Sequence, residues 1–349
     1  MEKIKLTEYA HGAGCGCKIA PQVLQNILQT DAVVFRSDKL IVGNESKDDA
    51  AVYDMGNGRL LISTTDFFTP IVNDPYDFGR IAATNALSDV YAMGGHPFMA
   101  LAVLGFPVDK LPIEVAQQIL NGARAVCNEA KVVLAGGHSI DSPEPIFGLS
   151  VNGEVSKEHL KTNNAVQEGD LLYLTKPIGV GILATAEKRG VLKEEHVGLA
   201  VKYMTELNQI GAKFGQLKEV HAMTDVTGFG IAGHLIEMLD NKFSAEIYWS
   251  KLPFINGLQH YLDTNIIPDA TYRNWNGYGA EVEWGAGVPI MDAFKLLPDP
   301  QTSGGLLVSV DPAAQATFEA MLINIGYASF AQPIGHIKAR GTKSVSVIL

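Results

Sequence analysis

The chain has 349 residues, 47% of them apolar and 19% charged, a composition that suits about two compact domains and excludes a disordered chain. A net charge of −11 with no basic patch argues against nucleic acid or an anionic lipid surface as partners, and lets an anion such as ATP bind only where divalent cations neutralise both sides. The opening residues lack the apolar run of a signal peptide and no stretch reaches the roughly 18 apolar residues of a membrane span, so a cytoplasmic protein is expected.

The predicted elements begin with a short amphipathic helix over 19–30, where Ile19, Val23, Leu24, Ile27 and Leu28 share a face and Pro21 suits the first turn. Strands are predicted at 40–42, 50–54 and 60–65, each bounded by glycine, asparagine or aspartate. A helix over 77–93, capped by Asp77 and stopped by Gly94-Gly95, puts Asn85 and Asp89 on one face. Strands at 98–106, 132–135 and 146–155 flank a helix over 112–130, so the first half alternates strands and helices. The polar stretch 156–169 marks the expected domain boundary. Beyond it come strands at 171–175, 306–310 and 344–348 and helices at 179–189, 197–214, 228–239 and 313–325. The fold class is α/β (α+β), with a glycine-rich arm over 1–18, one domain over 19–156 and a second over 170–349.

Three cysteines, Cys15, Cys17 and Cys127, are too few for a disulfide framework and read as reduced thiols, with Cys127 a core residue. Cys15 and Cys17 lie in HGAGCGCK, where glycines give the backbone freedom to carry a thiol to a bound substrate. Lys18 can favour a thiolate or contact a phosphate; the spacing is not that of a Walker A loop. A loose terminal tail, or a metal clip of His11, Cys15 and Cys17, is the structural alternative, and spacing does not say which thiol reacts.

Aspartates recur at strand ends or beside glycines: Asp48-Asp49 before a strand, Asp66 after one, Asp89 on a helix and Asp225 in DVTGFG. Singly each reads as a cap or turn residue, but carboxylates dispersed along a chain and converging in the fold are what Mg²⁺ needs when it also holds polyphosphate. Three glycine-rich turns, 136–139, 227–230 and 302–305, offer backbone N–H groups to phosphates; His138 in the first could donate to phosphate or sit in the core.

Taken in order, HGAGCGCK, Asp48-Asp49-Ala50-Ala51-Val52, TTDFF, NALSDVYAMGG, LAGGHS, MTDVTGFG and DPQTSGG resemble the selenophosphate synthetase (selenide, water dikinase) family almost end to end. The later motifs are shared more loosely with aminoimidazole ribonucleotide synthetase and thiamine monophosphate kinase, and the Cys-Gly-Cys-Lys segment singles out the selenium enzyme. The resemblance implies a two-domain aminoimidazole ribonucleotide synthetase-like fold whose N-terminal domains pair into a barrel-like sheet in a homodimer, with ATP bound at the dimer. It implies catalytic roles for Cys15 and Lys18, nucleotide contacts by Lys18, Ser46, Lys47, Asp48, Asp66, Asp89, Gly137, His138 and Ser139, and metal binding by Asp49, Asp89 and Asp225.

The family's reaction converts ATP, selenide and water into selenophosphate, AMP and phosphate, with Mg²⁺ as cofactor. A monovalent cation such as K⁺ and a selenium-delivery protein are further expectations. Residues 268–274 (PDATYRN) depart from the family, which usually shows a glycine pair and an acidic residue before Arg-Asn; Arg273 and Asn274 remain. The rival readings are another ATP-dependent kinase or synthetase of the superfamily, which the thiol arm opposes, and a thiol or metal sensor, which the intact aspartates oppose.

Overall fold

The computed structural model describes residues 4–10, 12, 14–17, 26–27, 35, 37–43 and 48–349, the side chains of Cys15 and Cys17 excepted. The helix expected over 19–30 therefore lies outside the described residues, apart from 26–27.

The first half is built on a six-stranded sheet in the order β1-β2-β3-β6-β4-β5. Its strands are β1 (Leu40–Val42), β2 (Ala51–Gly56), β3 (Arg59–Phe68), β4 (His96–Phe106), β5 (Val133–Asp141) and β6 (Ile146–Ser156). All neighbours are antiparallel except β4 and β5. Alternation along the strands buries Val52, Leu60, Ile62, Ala100, Leu149 and Val151 under the helices, while Tyr53, Phe67, Phe98 and Leu101 stay exposed on the other face.

Helix α1 (Pro75–Ala92) begins at Asp74, whose carboxylate accepts from the Asp77 N–H at 2.9 Å, with Pro75 in the first turn. The cap is thus Asp74, three residues earlier than expected, because Pro75 supplies a pre-set φ where a missing N–H costs nothing. Helix α1 is buried almost all round, packing on α2 (Ile113–Glu129), on β3 and β6, and on the second half.

Helices α1 and α2 approach closely at Gly79 and Gly122, where an added Cβ would fall on the carbonyl oxygens of Ile119 and Tyr76 respectively. Gly79→Ala is accordingly expected to destabilise the protein by about 3 kcal/mol, read as a lowered urea midpoint at unchanged slope. A midpoint equal to the wild type would show that the helices can part without loss.

After turns over 157–170, the second half forms a seven-stranded sheet in the order β10-β13-β9-β12-β7-β11-β8. These are β7 (Leu171–Leu174), β8 (Val220–Asp225), β9 (Phe243–Tyr248), β10 (Val282–Trp284), β11 (Leu306–Val310), β12 (Gly335–Ala339) and β13 (Val345–Ile348). The helices are α3 (Val180–Lys188), α4 (Leu199–Met204), α5 (Gly211–Gly215), α6 (Gly230–Leu239), α7 (Gln259–Asp263), α8 (Asp269–Tyr278), α9 (Ile290–Leu296) and α10 (Gln315–Asn324).

The expected single helix over 197–214 is two short ones, α4 and α5. The chain between them is diverted so that Asn208 donates to Ser88 Oγ and to the Gly304 carbonyl, both at 2.8 Å. The reading of 136–139 as a turn is also corrected, for these residues continue β5 along β4, pairing Gly137 with Ala102 and Ser139 with Leu104. Asp66 lies within β3, which runs on to Phe68. Cys127 is buried on α2, where lack of solvation pushes its thiol up to about 11 and makes it inert.

Candidate active site

An acidic cluster forms where the two halves meet. Asp48 and Asp49 precede β2, Asp89 stands on α1, and Asp225 ends β8. Strand pairing of Asp225 with Leu306 sets the MTDVTGFG segment beside the start of β11, and so beside the TSGG turn. Asp49 Oδ1 accepts from Thr224 Oγ1 at 2.8 Å, across 175 residues of sequence. Asp49 Oδ2 is buried with no hydrogen-bond donor among the described residues.

Burial holds the Asp49 carboxyl well above the usual carboxylate range, and the charges of Asp225, Asp48 and Asp89 push it the same way. Asp48 is raised to about 6 by burial, against the backbone N–H groups of Asp49 and Asn163 that favour its charged form. Asp89 accepts from Thr64 Oγ1 at 2.5 Å. Three carboxylates that oppose the charge of a fourth, Asp49, mark a place suited to positive charge.

Amides and one lysine join the halves around this cluster. Asn85, one turn before Asp89 on α1, donates through Nδ2 to Asp66 and accepts through Oδ1 from the Ser303 N–H at 2.8 Å. Ser303 sits at φ +52°, strained for a residue with a side chain, within the TSGG turn. Its carbonyl accepts from buried Lys176 Nζ at 2.9 Å, and the Glu206 carbonyl accepts from the same ammonium at 2.6 Å. Burial lowers Lys176 to about 8, with Glu206 and Asp225 opposing the shift. Asn274 donates to the carbonyls of Gly228 at 2.8 Å and Pro298 at 2.9 Å, tying the 227–230 turn to the chain that leads into DPQTSGG.

The cysteine-bearing segment lies across both halves. Its Gly14–Cys17 turn is anchored by the Gly14 N–H to the Thr69 carbonyl at 3.1 Å, and Gly14 adopts φ +51° where a Cβ would press on Thr302 and Ile71. From the second half, Lys188 Nζ reaches the carbonyls of Ala10 at 3.1 Å and Gly12 at 2.9 Å, and Arg273 reaches that of Gly16 at 2.6 Å.

Residues 47–155 match the AIR synthase related protein, N-terminal domain, and residues 167–348 the AIR synthase related protein, C-terminal domain. The chain is 52% identical to a selenide, water dikinase of Aeromonas salmonicida over all of both chains, and 53% identical to one of Bordetella bronchiseptica over 99% of each. It belongs to the selenide, water dikinase family. Among solved structures it resembles thiamine monophosphate kinase of Aquifex aeolicus, with TM-score 0.63 and 19% identity over 93% of this chain and 94% of that one. It also resembles the hydrogenase maturation protein HypE in complex with ATP, with TM-score 0.64 and 17% identity over 98% and 94%. At such identities the likeness is one of fold: the two-domain aminoimidazole ribonucleotide synthetase-like architecture.

Of the positions the selenide, water dikinase resemblance implies, the fold gathers Asp48, Asp49, Asp89 and Asp225, and links Asp66 to them through Asn85 on α1. It does not gather Gly137, His138 and Ser139. Asp66 is level with Leu149 of β6, which is level with Ala102 of β4, which pairs with Gly137 of β5. Three strand spacings, roughly 14 Å, therefore separate them within one chain. These residues instead line a cavity of about 280 Å³ with Arg124, and His138 is exposed on the edge strand, so it is no core histidine. Lys18, Ser46 and Lys47, with His11, lie outside the described residues, and of Cys15 the backbone alone is described.

A divalent metal fits the cluster. Among the described residues no three His, Cys, Asp or Glu side chains form a closed ligand set. Mg²⁺ that also binds phosphate requires none, taking one or two carboxylates and filling its octahedron with water and phosphate oxygens. The buried Asp49 Oδ2 among like charges is the kind of atom such an ion would satisfy.

Asn85, Lys176, Asn208, Asn274 and Asp299 are polar groups of the site that sequence patterns did not single out as site residues. Asp299, in DPQTSGG, is fully buried beside the start of α3 and accepts from Gln301 Nε2 at 2.8 Å. Burial raises its carboxyl to about 8, from 3.8 unfolded, outweighing the hydrogen bonds from Gln301 and from the backbone of Ile182 and Gly181. The folded form thus holds a proton that the unfolded form releases. Its contribution to stability is complete below about pH 4 and is lost as pH rises towards about 8. Asp299→Asn should flatten the decline in unfolding free energy between those limits in denaturant titrations; an unaltered decline would assign it to other groups.

Proposed function

We propose that the chain transfers the terminal phosphoryl group of ATP to selenide and uses water to cleave the remaining ADP, yielding selenophosphate, AMP and phosphate. The observation that carries this reading is full-length likeness to curated selenide, water dikinases, at about half of all positions. HypE, a fold relative, is described in complex with ATP, in accord with nucleotide use by this architecture. The product would serve selenocysteine and selenouridine synthesis. The reading includes a cytoplasmic location, and among the described residues no helix is long and apolar enough to cross a membrane.

In this mechanism Asp49, Asp89 and Asp225 would hold Mg²⁺, which neutralises polyphosphate charge when bound. Phosphoryl transfer has a loose transition state, so the chain's work is positioning and charge balance. Asp48 and Asp66 orient the nucleotide, together with Ser46, Lys47 and Lys18. Asn85 holds Asp66 and the Ser303 turn in one arrangement, and Lys176 secures that turn from behind. Cys15 presents the selenium atom from the turn that Arg273 holds against the second half, on the segment that Lys188 ties down at Ala10 and Gly12, while Lys18 contacts phosphate. The closed segment admits water only for the second step.

A homodimer completes the reading. Phe67, Phe98 and Leu101 leave an apolar face uncovered on the first sheet, and Gly137, His138 and Ser139 lie on its far edge strand. Pairing of two such faces would bring those residues to the nucleotide of the other chain.

The test is phosphorus NMR of the purified protein with ATP, Mg²⁺ and selenide under anaerobic reducing conditions, with and without K⁺. A selenium-bonded phosphate formed with AMP is expected. ATP consumed only to ADP, or only when a nucleotide or vitamin precursor is added, would overturn the selenium assignment and leave the fold family standing.

A further inference from the structure

A second cavity, of about 640 Å³, opens beside the cysteine-bearing turn. Gly12 and Gly16 of the arm and Thr302 line it, and Lys188, Arg189 and Arg273 bring three cations to its lining. Asp269 is the one carboxylate among the described lining residues. In a chain of net charge −11 this reverses the local field.

Part of the basic character has a structural use. Lys188 ends α3 and Arg189 caps it, where cations favour the helix dipole, and Lys188 and Arg273 hold arm carbonyls. Each guanidinium nevertheless has five N–H donors in a planar fork. Among the described residues one hydrogen bond occupies Arg189, to the Ile267 carbonyl at 3.2 Å, and one occupies Arg273, to the Gly16 carbonyl, so both forks keep donors for an anion.

The proposed reaction brings two anions to one place, and the acidic cluster can serve only one of them. ATP arrives with divalent cations. Hydrogen selenide, a bare monoanion at neutral pH, would be repelled by Asp48, Asp49, Asp89 and Asp225. It needs a cationic approach on another side, within reach of the cysteine turn. Thr302 lines the cavity, while its neighbour Ser303 is bonded to Asn85, which holds Asp66. The Thr302-Ser303 turn therefore stands between the basic cavity and the acidic cluster.

We propose that this cavity is the entry subsite for the anionic selenium substrate, hydrogen selenide, gathered by Arg189 and Arg273 next to the cysteine-bearing turn. The proposal rests on the selenide reading of the function. Arg189 acts on the anion alone, whereas Arg273 also positions Gly16, so their substitutions have different signatures.

Initial rates of selenophosphate formation by the full chain, over a range of selenide concentrations at saturating ATP and Mg²⁺, test it. Arg189→Ala should raise KM for selenide about tenfold, as expected for loss of one charge-assisted contact to a partly solvated anion, with KM for ATP within about twofold of wild type. Arg273→Ala should raise KM for selenide and also lower kcat. Arg189→Lys and Arg273→Lys should recover much of the selenide KM, and added salt should weaken selenide use in the wild type more than in Arg189→Ala.

Unchanged KM for selenide in both alanine variants overturns the proposal. So does an effect confined to inhibition by added orthophosphate, which would make the cavity a phosphate exit. Failure of the underlying reading looks different: the wild type itself then forms no selenium-bonded phosphate at any selenide concentration, and both ideas fall.

Discussion

Asp49→Asn is expected to raise the stability of the metal-free protein at neutral pH by about 1–2 kcal/mol while lowering turnover at least about 10³-fold. The side chain keeps its shape, and its amide oxygen can still accept from Thr224 Oγ1. What disappears is a buried carboxyl whose charged form is opposed by burial and by Asp225, Asp48 and Asp89. The folded-state pKa of Asp49 is raised above its unfolded value of 3.8, so in the wild type its favourable contribution is present below about pH 4 and is lost as pH rises. The stability gain of the variant should therefore vanish near pH 4 and grow towards neutrality. Mg²⁺ should raise the melting temperature of the wild type markedly and that of Asp49→Asn little, because binding to the folded form alone is what shifts the transition. Calorimetric scans with and without Mg²⁺ at several pH values decide this. Equal melting temperatures and equal Mg²⁺ response in the two proteins would remove Asp49 from the metal site.

Cys15→Ser should abolish selenophosphate formation, by at least about 10³-fold, and leave ATP binding near wild type. Sulfur and oxygen are near-isosteric, and the backbone of the turn is held by the Gly14 to Thr69 and Arg273 to Gly16 bonds, none of which uses the side chain. A thiol ionises near pH 8.5 and offers a polarisable anion suited to selenium; a hydroxyl does neither near neutrality. Cys17→Ser should keep most activity. Phosphorus NMR for product and calorimetry for ATP separate chemistry from binding. Equal losses in the two variants would leave the choice between the thiols to be made on other grounds, and full activity in Cys15→Ser would end the thiol's role.

Local chemistry made much of this protein legible in its sequence. Glycine, asparagine and aspartate punctuation delimits β1, β2 and β3, and the stop at Gly94, with φ +75°, ends α1 where expected. The structure departs from local expectation where one signal allows two outcomes. Glycines at 136 and 137 are compatible with a turn or with a strand, and pairing with β4 selected the strand. Apolar periodicity over 197–214 suits one helix, but contacts of Asn208 with Ser88 and Gly304 divide it. Asp74 and Asp77 can both cap, and Pro75 selects the first.

The sequence by itself determined the α/β class, the family, and the aspartates and cysteines proposed to carry the chemistry, because residue type and near-neighbour spacing are local properties. Only the tertiary structure decided which of those residues meet. The Asp49 to Thr224 bond spans 175 residues and the Asn85 to Ser303 bond spans 218, and no periodicity records contacts at such separations. The same holds for the raised carboxyls of Asp49 and Asp299 and the lowered ammonium of Lys176, since burial and neighbouring charge, not residue type, set those values.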